Sequence, residues 1–172
     1  RSAEDKHRAP ALSNVIGNLI SLNRFDEAAP LLDEALRLRK KWYGERGARV
    51  ADTLVQIASL KMRLAPPAEA AGPPARRARA LAEGAAQAQA TPGLRRTVHP
   101  GDHESIAEAL SLLGQLKMRQ GELGGARTHL ESALAMRRRL PRKSDGDLGR
   151  SESNLGECLR RIGDARDLGE AE

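Results

Sequence analysis

The tetrapeptide Leu60-Lys61-Met62-Arg63 returns as Leu116-Lys117-Met118-Arg119, and Arg160-Arg161 stands at the matching place in a later copy. Arginine suits bidentate pairing with a carboxylate, and a neighbouring methionine offers adaptable apolar contact. If the copies stack, Arg63, Arg119 and Arg161 become a stripe suited to an acidic or amphipathic partner. Ser21 interrupts that stripe in the first copy. The competing reading is a solvated helix end, because cations near a helix C-terminus are favoured by the dipole alone.

Other candidate chemistries are weaker. His99 and His103, flanking Asp102 and Glu104, have a tempting metal-ligand spacing, but Pro100-Gly101 breaks any continuous helix between them and no cysteine lies nearby. The run Gly121-x-x-Gly124-Gly125 lacks the strand and the Lys-Ser/Thr of a phosphate loop, and Asp145-Gly146-Asp147 is short of oxygen ligands for calcium. No Ser–His–acid or paired-carboxylate arrangement stands out. The expectation is a protein with no catalytic site, no metal, no cofactor and no small-molecule substrate.

The elements that carry these residues are repeats. Val15, Ile57, Leu113 and Leu155 each precede a small or apolar residue (Ile16, Ala58, Gly114, Gly156), at intervals of 42, 56 and 42 residues. The middle interval is the same unit with an insertion. Helical periodicity places first helices near 11–22, 50–62, 104–119 and 151–162, and second helices near 25–41, 75–89 and 123–140. Turns are expected at Asn23-Arg24 and Gln120-Gly121, with stops at Thr91-Pro92-Gly93, Pro141 and Gly163. The units run near 10–50, 51–104, 105–148 and 149–163, the last being partial. Residues 1–9 read as a leader from a preceding segment, and 164–172 as a truncated or frayed second helix. The four prolines and one glycine of 65–74 predict an exposed insertion loop. An array of this kind has no single central core and works through an extended surface.

Composition agrees. Aromatics are reduced to Phe25, Trp42 and Tyr43, so the core must be built from Leu, Ile, Val and Ala, which suits close helix packing better than sheets. The net charge of +6 and sequence pI near 10.1 raise a nucleic-acid alternative. It would rest on Arg137-Arg138-Arg139 with Arg142-Lys143, on Arg76-Arg77 with Arg79, and on Arg95-Arg96. No aromatics interleave these clusters for base stacking, and they fall at second-helix ends and loops. Cys158 is alone, which excludes a disulfide framework within the chain and fits a cytoplasmic or other reducing compartment. No apolar run approaches membrane-spanning length. The chain opens without a methionine and stops inside a fourth unit, which suggests a fragment of something longer.

The pattern Leu110-x-x-Leu113-Gly114, then Gln120-Gly121-Glu122-Leu123-x-x-Ala126, Leu130 and Ala133-Leu134, resembles the tetratricopeptide repeat, a helix–turn–helix unit. Phe25-Asp26-Glu27-Ala28 and Leu32-x-x-Ala35-Leu36 match it in the first unit. The 42-residue period, Arg37-Leu38-Arg39-Lys40 before a loop, and His99-Pro100-Gly101-Asp102 before a new unit are similar to the kinesin light chain type of repeat. The resemblance implies an all-α, right-handed solenoid of antiparallel helix pairs whose concave face, lined by first helices, receives partner peptides or helices. It further implies that Asn14, Gln56 and Asn154 bond a partner's backbone, although an amide there can equally bond within its own layer. The candidate partner-binding set is therefore Asn14, Ser21, Gln56, Met62, Arg63, Gln115, Met118, Arg119, Asn154, Arg160 and Arg161. The function expected is that of an interaction scaffold or adaptor segment. The alternative is a structural subunit of a large assembly touching nucleic acid through its Arg clusters.

Overall fold

A computed structural model describes residues 2–65, 74–141 and 144–167. Among them there are seven helices and no strand: α1 (Ser2–Ser21), α2 (Phe25–Tyr43), α3 (Ala48–Leu64), α4 (Pro74–Val98), α5 (Glu104–Gln120), α6 (Leu123–Arg139) and α7 (Asp145–Asp167). The chain divides into two compact units, residues 1–98 with α1 to α4 and residues 99–172 with α5 to α7. Within each, helices pack in chain order, α1 on α2, α2 on α3 and α3 on α4, then α5 on α6 and α6 on α7. This is the all-α helical-repeat architecture that the sequence implies.

Each core is made by the apolar stripes. In the first unit Ile16, Ala28, Leu32, Ala35, Ile57 and Leu60 meet across α1, α2 and α3. In the second, Ile106, Ala107 and Leu110 of α5 pack on Ala133 and Met136 of α6, while Met118, Ala126 and Leu130 enclose Cys158 of α7. Gly114 sets how close α5 and α6 lie: a Cβ there would stand 2.6 Å from Leu130 Cγ and 3.2 Å from the Ala126 carbonyl oxygen. The turns repeat as well. Asn23 at φ 58° and Gly121 at φ 87° take the left-handed conformation that ends a helix. The amide after each closes the same bond, Arg24 to the Leu19 carbonyl at 2.8 Å and Glu122 to the Lys117 carbonyl at 3.0 Å.

Several expectations are corrected. Val15 is 48% exposed, whereas its equivalents Ile57 and Leu113 are both buried. Interior first helices are covered from two sides, as α3 is by α2 and α4, but α1 packs on α2 alone among the described elements. Helix α1 also begins at Ser2 and runs through Pro10, absorbing residues 2–9, with Arg8 paired to Glu34 of α2 at 2.9 Å. Helix α4 does not stop at Thr91-Pro92-Gly93 but continues to Val98. Apart from Leu81 its buried stripe is made of the small or polar residues Ala88, Thr91 and Arg95, so a reading that counts large aliphatics underrates it. Thr91 bonds the Gln87 carbonyl at 3.2 Å, and the Arg95 ion pair to Asp52 of α3 at 3.1 Å anchors the last turns, offsetting the amide that Pro92 lacks.

Helix α7 starts at Asp145, where the Ser144 hydroxyl accepts from the Asp147 amide at 3.3 Å, and it runs through Gly163 without a break. The pair of Arg160 with Asp164 straddles that glycine, and Arg160 also meets Glu157 in the turn before it. The expected insertion loop lies, over residues 66–73, outside the described residues; at its flanks Ala65 is buried and Pro74 opens α4.

Candidate functional site

Each first helix carries a polar row of the same spacing. On α3 every residue from Val50 to Leu60 is buried except Asp52, Gln56 and Ser59, and Arg63 continues that row a turn later. The spacing of four, three and four residues is one stripe of a helix. The equivalents on α5 are Glu108, Leu112, Gln115 and Arg119; on α1 they are Pro10, Asn14, Gly17 and Ser21; on α7 they are Arg150, Asn154, Glu157 and Arg161. All four positions are exposed on α1, and on α5 only Leu112 is buried.

Seven of the eleven candidate residues lie at the second and fourth positions of this row: Asn14, Gln56 and Asn154 at the second, Ser21, Arg63, Arg119 and Arg161 at the fourth. Gln115 lies at the third position. Met118 is corrected. It is 9% exposed and belongs to the core around Cys158, because its place one residue before Arg119 turns it inward. Met62 is half-buried, and Arg160 is exposed one residue to the side of the row.

The arginines of the stripe have neighbours of their own. Arg63 lies 5.5 Å from the Phe25 ring centroid, a cation–π contact. Arg161 reaches Glu157 at 2.6 Å, and Arg160 grips the same carboxylate through two bonds of 3.0 Å. Those bonds pull Glu157 from the ordinary value near 4.5 to about 2. Lys61 pairs with Glu83 at 2.7 Å and Lys117 with Glu122 at 2.5 Å, so the lysines of the repeated tetrapeptide brace the second helices. The Asn154 Nδ2 is buried without a hydrogen-bond partner.

The basic ends of the second helices do something that the sequence reading assigned only to the helix dipole. Arg39, Arg95 and Arg137 stand 56 and 42 residues apart, at one repeat position. Arg137 of α6, 5% exposed, donates to Ser111 of α5 at 3.0 Å, to Ser151 of α7 at 2.5 Å, and through Nε and Nη2 to Glu104 at 2.8 and 2.7 Å. Arg39 of α2 donates to Ser13 of α1 at 2.6 Å and to Thr53 of α3. Ser13 and Ser111, like Thr53 and Ser151, are 98 residues apart, the offset that separates Arg39 from Arg137. Each arginine thus ties its own first helix to the next. Hydroxyls at these offsets were the signal in the sequence. At Arg95 the two hydroxyl positions hold Val55 and Ala109, and its Nε is buried without a partner.

Three more cations of the nucleic-acid clusters are also paired. Arg138 meets Glu152 at 3.0 Å, Arg139 meets Asp102 at 2.6 Å, and Arg79 meets Glu83 at 2.9 Å. Arg142, Lys143 and the side chain of Arg76 lie outside the described residues. His103 caps α5, its Nδ1 accepting from the Ser105 amide at 3.2 Å, while its ring stacks on His99 at 3.8 Å. Among the described residues no group of three or more potential ligands could hold a metal, and no helix is long and apolar enough to cross a membrane.

Helix pairs recurring at one period, with a polar face of the same spacing on each first helix, define a helical-repeat protein. The tetratricopeptide repeat family matches residues 18–47 and 105–167, and the chain belongs to that family. Its fold is similar to that in the crystal structure of BtubC (BKLC) from P. vanneervenii, a kinesin light chain-like member, with a TM-score of 0.77 and 19% identity over 92% of this chain. The chain spans 57% of that protein's chain. No curated protein matches the sequence.

Proposed function

We propose that this chain is a scaffold or adaptor segment whose first-helix faces bind an acidic or amphipathic segment of another protein, without catalysis. Repeats of this family are generally protein–protein interaction modules, and its scaffolds are generally non-enzymatic. The observation that carries the reading is the row Asp52, Gln56, Ser59 and Arg63, left open on a helix that is otherwise buried, with equivalents on every first helix. Cys158 is buried as a free thiol, in keeping with a reducing compartment.

The assembly-subunit reading with nucleic-acid contact is less well supported, since most of the described cations that would serve it are held by carboxylates of the same chain. Isothermal titration of an acidic amphipathic peptide separates the two. Arg63→Ala and Arg119→Ala should each weaken binding by about 1–3 kcal/mol, the range for a hydrogen bond to a charged group, and added salt should weaken it further. Arg138→Ala, at a second-helix end, should cost less. Equal losses at Arg119 and Arg138 would refute the assignment to the first-helix face.

A further inference from the structure

The two repeat arginines Arg39 and Arg137 make the same ties to hydroxyls but differ in what neutralises them. Arg137 has the Glu104 carboxylate on Nε and Nη2. The position 98 residues earlier is Lys6, a residue type with no carboxylate to give. A second reversal lies beside it: Asp147 in the second unit corresponds to Arg49 in the first. Both repeat positions that are acidic in the second unit are therefore basic in the first.

The surroundings of Arg39 show the consequence. Its bonds go to neutral oxygens, the hydroxyls of Ser13 and Thr53 and the Arg49 carbonyl at 3.5 Å. The nearest acidic influence, Asp52, is itself paired to Arg95 at 3.1 Å. Burial pushes the Arg39 pKa down, with Asp52 opposing that effect and Arg49 adding to it. Beside it Arg49 lies over the Tyr43 ring, 4.5 Å from its centroid, and bonds the Tyr43 hydroxyl. Among the described residues neither arginine has a carboxylate within ion-pairing distance. A cleft of about 300 Å³ opens onto both, walled also by Pro10, Ser13, Asn14 and Tyr43. That volume admits a carboxylate-bearing side chain, and Asn14 at its wall belongs to the polar face of α1.

We propose that this cleft is a carboxylate subsite, in which Arg39 and Arg49 receive an Asp or Glu side chain of the partner segment lying along α1. The partner supplies the group that Glu104 supplies internally in the second unit. Two guanidinium groups, one held rigid by two helices and one backed by an aromatic ring, give the fork geometry that a carboxylate fits. The inference rests on the proposed peptide-binding function and names the chemistry that the first unit selects.

The probe is a blocked peptide of alternating Glu and Leu, with a Gln–Leu peptide as control, followed by the Nε–H resonances of the full chain's arginines and by titration. The Glu peptide should shift Arg39 and Arg49, and the Gln peptide should not. Arg49→Ala, an exposed change that leaves the ties of Arg39 intact, should weaken binding about tenfold, the equivalent of one charge-paired bond. Lys6→Glu, which restores the residue that Glu104 supplies at this repeat position in the second unit, should abolish binding and raise the melting temperature. Glu-peptide binding that survives both Arg49→Ala and Lys6→Glu, yet is lost in Arg63→Ala, would overturn the subsite while leaving the peptide-binding reading standing. Failure of the Glu peptide to bind the unaltered chain at all would overturn both.

Discussion

Arg137, Arg39 and Arg95 occupy one repeat position, yet their surroundings give them different worth. Arg137 is buried, and removing it would strand the Glu104 carboxylate and leave two buried hydroxyls without their donor. Removing one member of such a network costs the desolvation of whatever remains, and Arg137→Met should lower stability by about 2–3 kcal/mol. Arg95 is 8% exposed with a buried Nε that bonds nothing, and only the half-exposed Asp52 answers its charge. Arg95→Met, which keeps the volume and discards an imperfectly satisfied cation, should change stability by less than about 1 kcal/mol in either direction. Urea denaturation of the two variants decides the point. Equal losses would mean that the hydroxyl ties contribute nothing beyond side-chain packing. The sequence held this distinction in the pairs Ser13 with Ser111 and Thr53 with Ser151, but it becomes visible only when positions are compared across repeats. Read helix by helix, a basic C-terminus is explained by the dipole and the comparison is not made.

At the scale of the element, what was legible followed residue size. Helices α3, α5 and α6 could be placed to within about two residues because Leu, Ile and Met mark their buried stripes, and boundary uncertainty of that order is usual. Helix α4 was cut short because its contact with α3 is made by Leu81, Ala88, Thr91 and Arg95, and proline and glycine near its end read as a stop. The register of α1 holds, Ile16 being buried like its equivalents Ala58 and Gly114, but Val15 faces out because α1 lacks the second covering helix that α3 has. Helix α7 was cut at Gly163 for want of any tertiary signal, its continuation being held by local charge pairs. A Cβ at Gly163 meets nothing within 4 Å, so glycine is not required there. Gly163→Ala should stabilise the last turns by about 0.5–1 kcal/mol, the difference between the two residues in a helix interior. Acid should loosen the same turns. Glu157 is depressed to about 2 from 4.5, so its contribution is complete above 4.5 and is lost as pH falls toward 2. Helicity of residues 157–167, read by amide exchange, should fall across that window and fall less in Gly163→Ala. An unchanged profile would show that the charge pairs do not hold this segment.

For the molecule as a whole, net charge and the distribution of charge point in different directions. A formal +6 with a pI near 10.1 suggests attraction to polyanions. Yet nucleic-acid affinity depends on how many phosphates are neutralised together, and each contact that releases a counterion steepens the salt dependence. Arg137 is buried, and Arg138, Arg139, Arg79 and Arg95 each face a carboxylate, so to reach a phosphate they must first break an existing pair. The excess charge then acts as a general field that favours acidic segments at low salt rather than as a phosphate-tracking patch. Titrating a single-stranded RNA of mixed sequence and a DNA duplex into the chain at physiological salt should give affinities no tighter than the non-specific range of about 10⁻⁴ to 10⁻⁶ M. The slope of log affinity against log salt should be shallow, corresponding to two or three contacts at about −0.9 each for the duplex and about −0.7 for a single strand. A slope near −5 or steeper, lost on reversing Arg138 and Arg139 to Glu, would show that the second-helix ends form a nucleic-acid surface, and the assembly-subunit reading would then replace the adaptor reading.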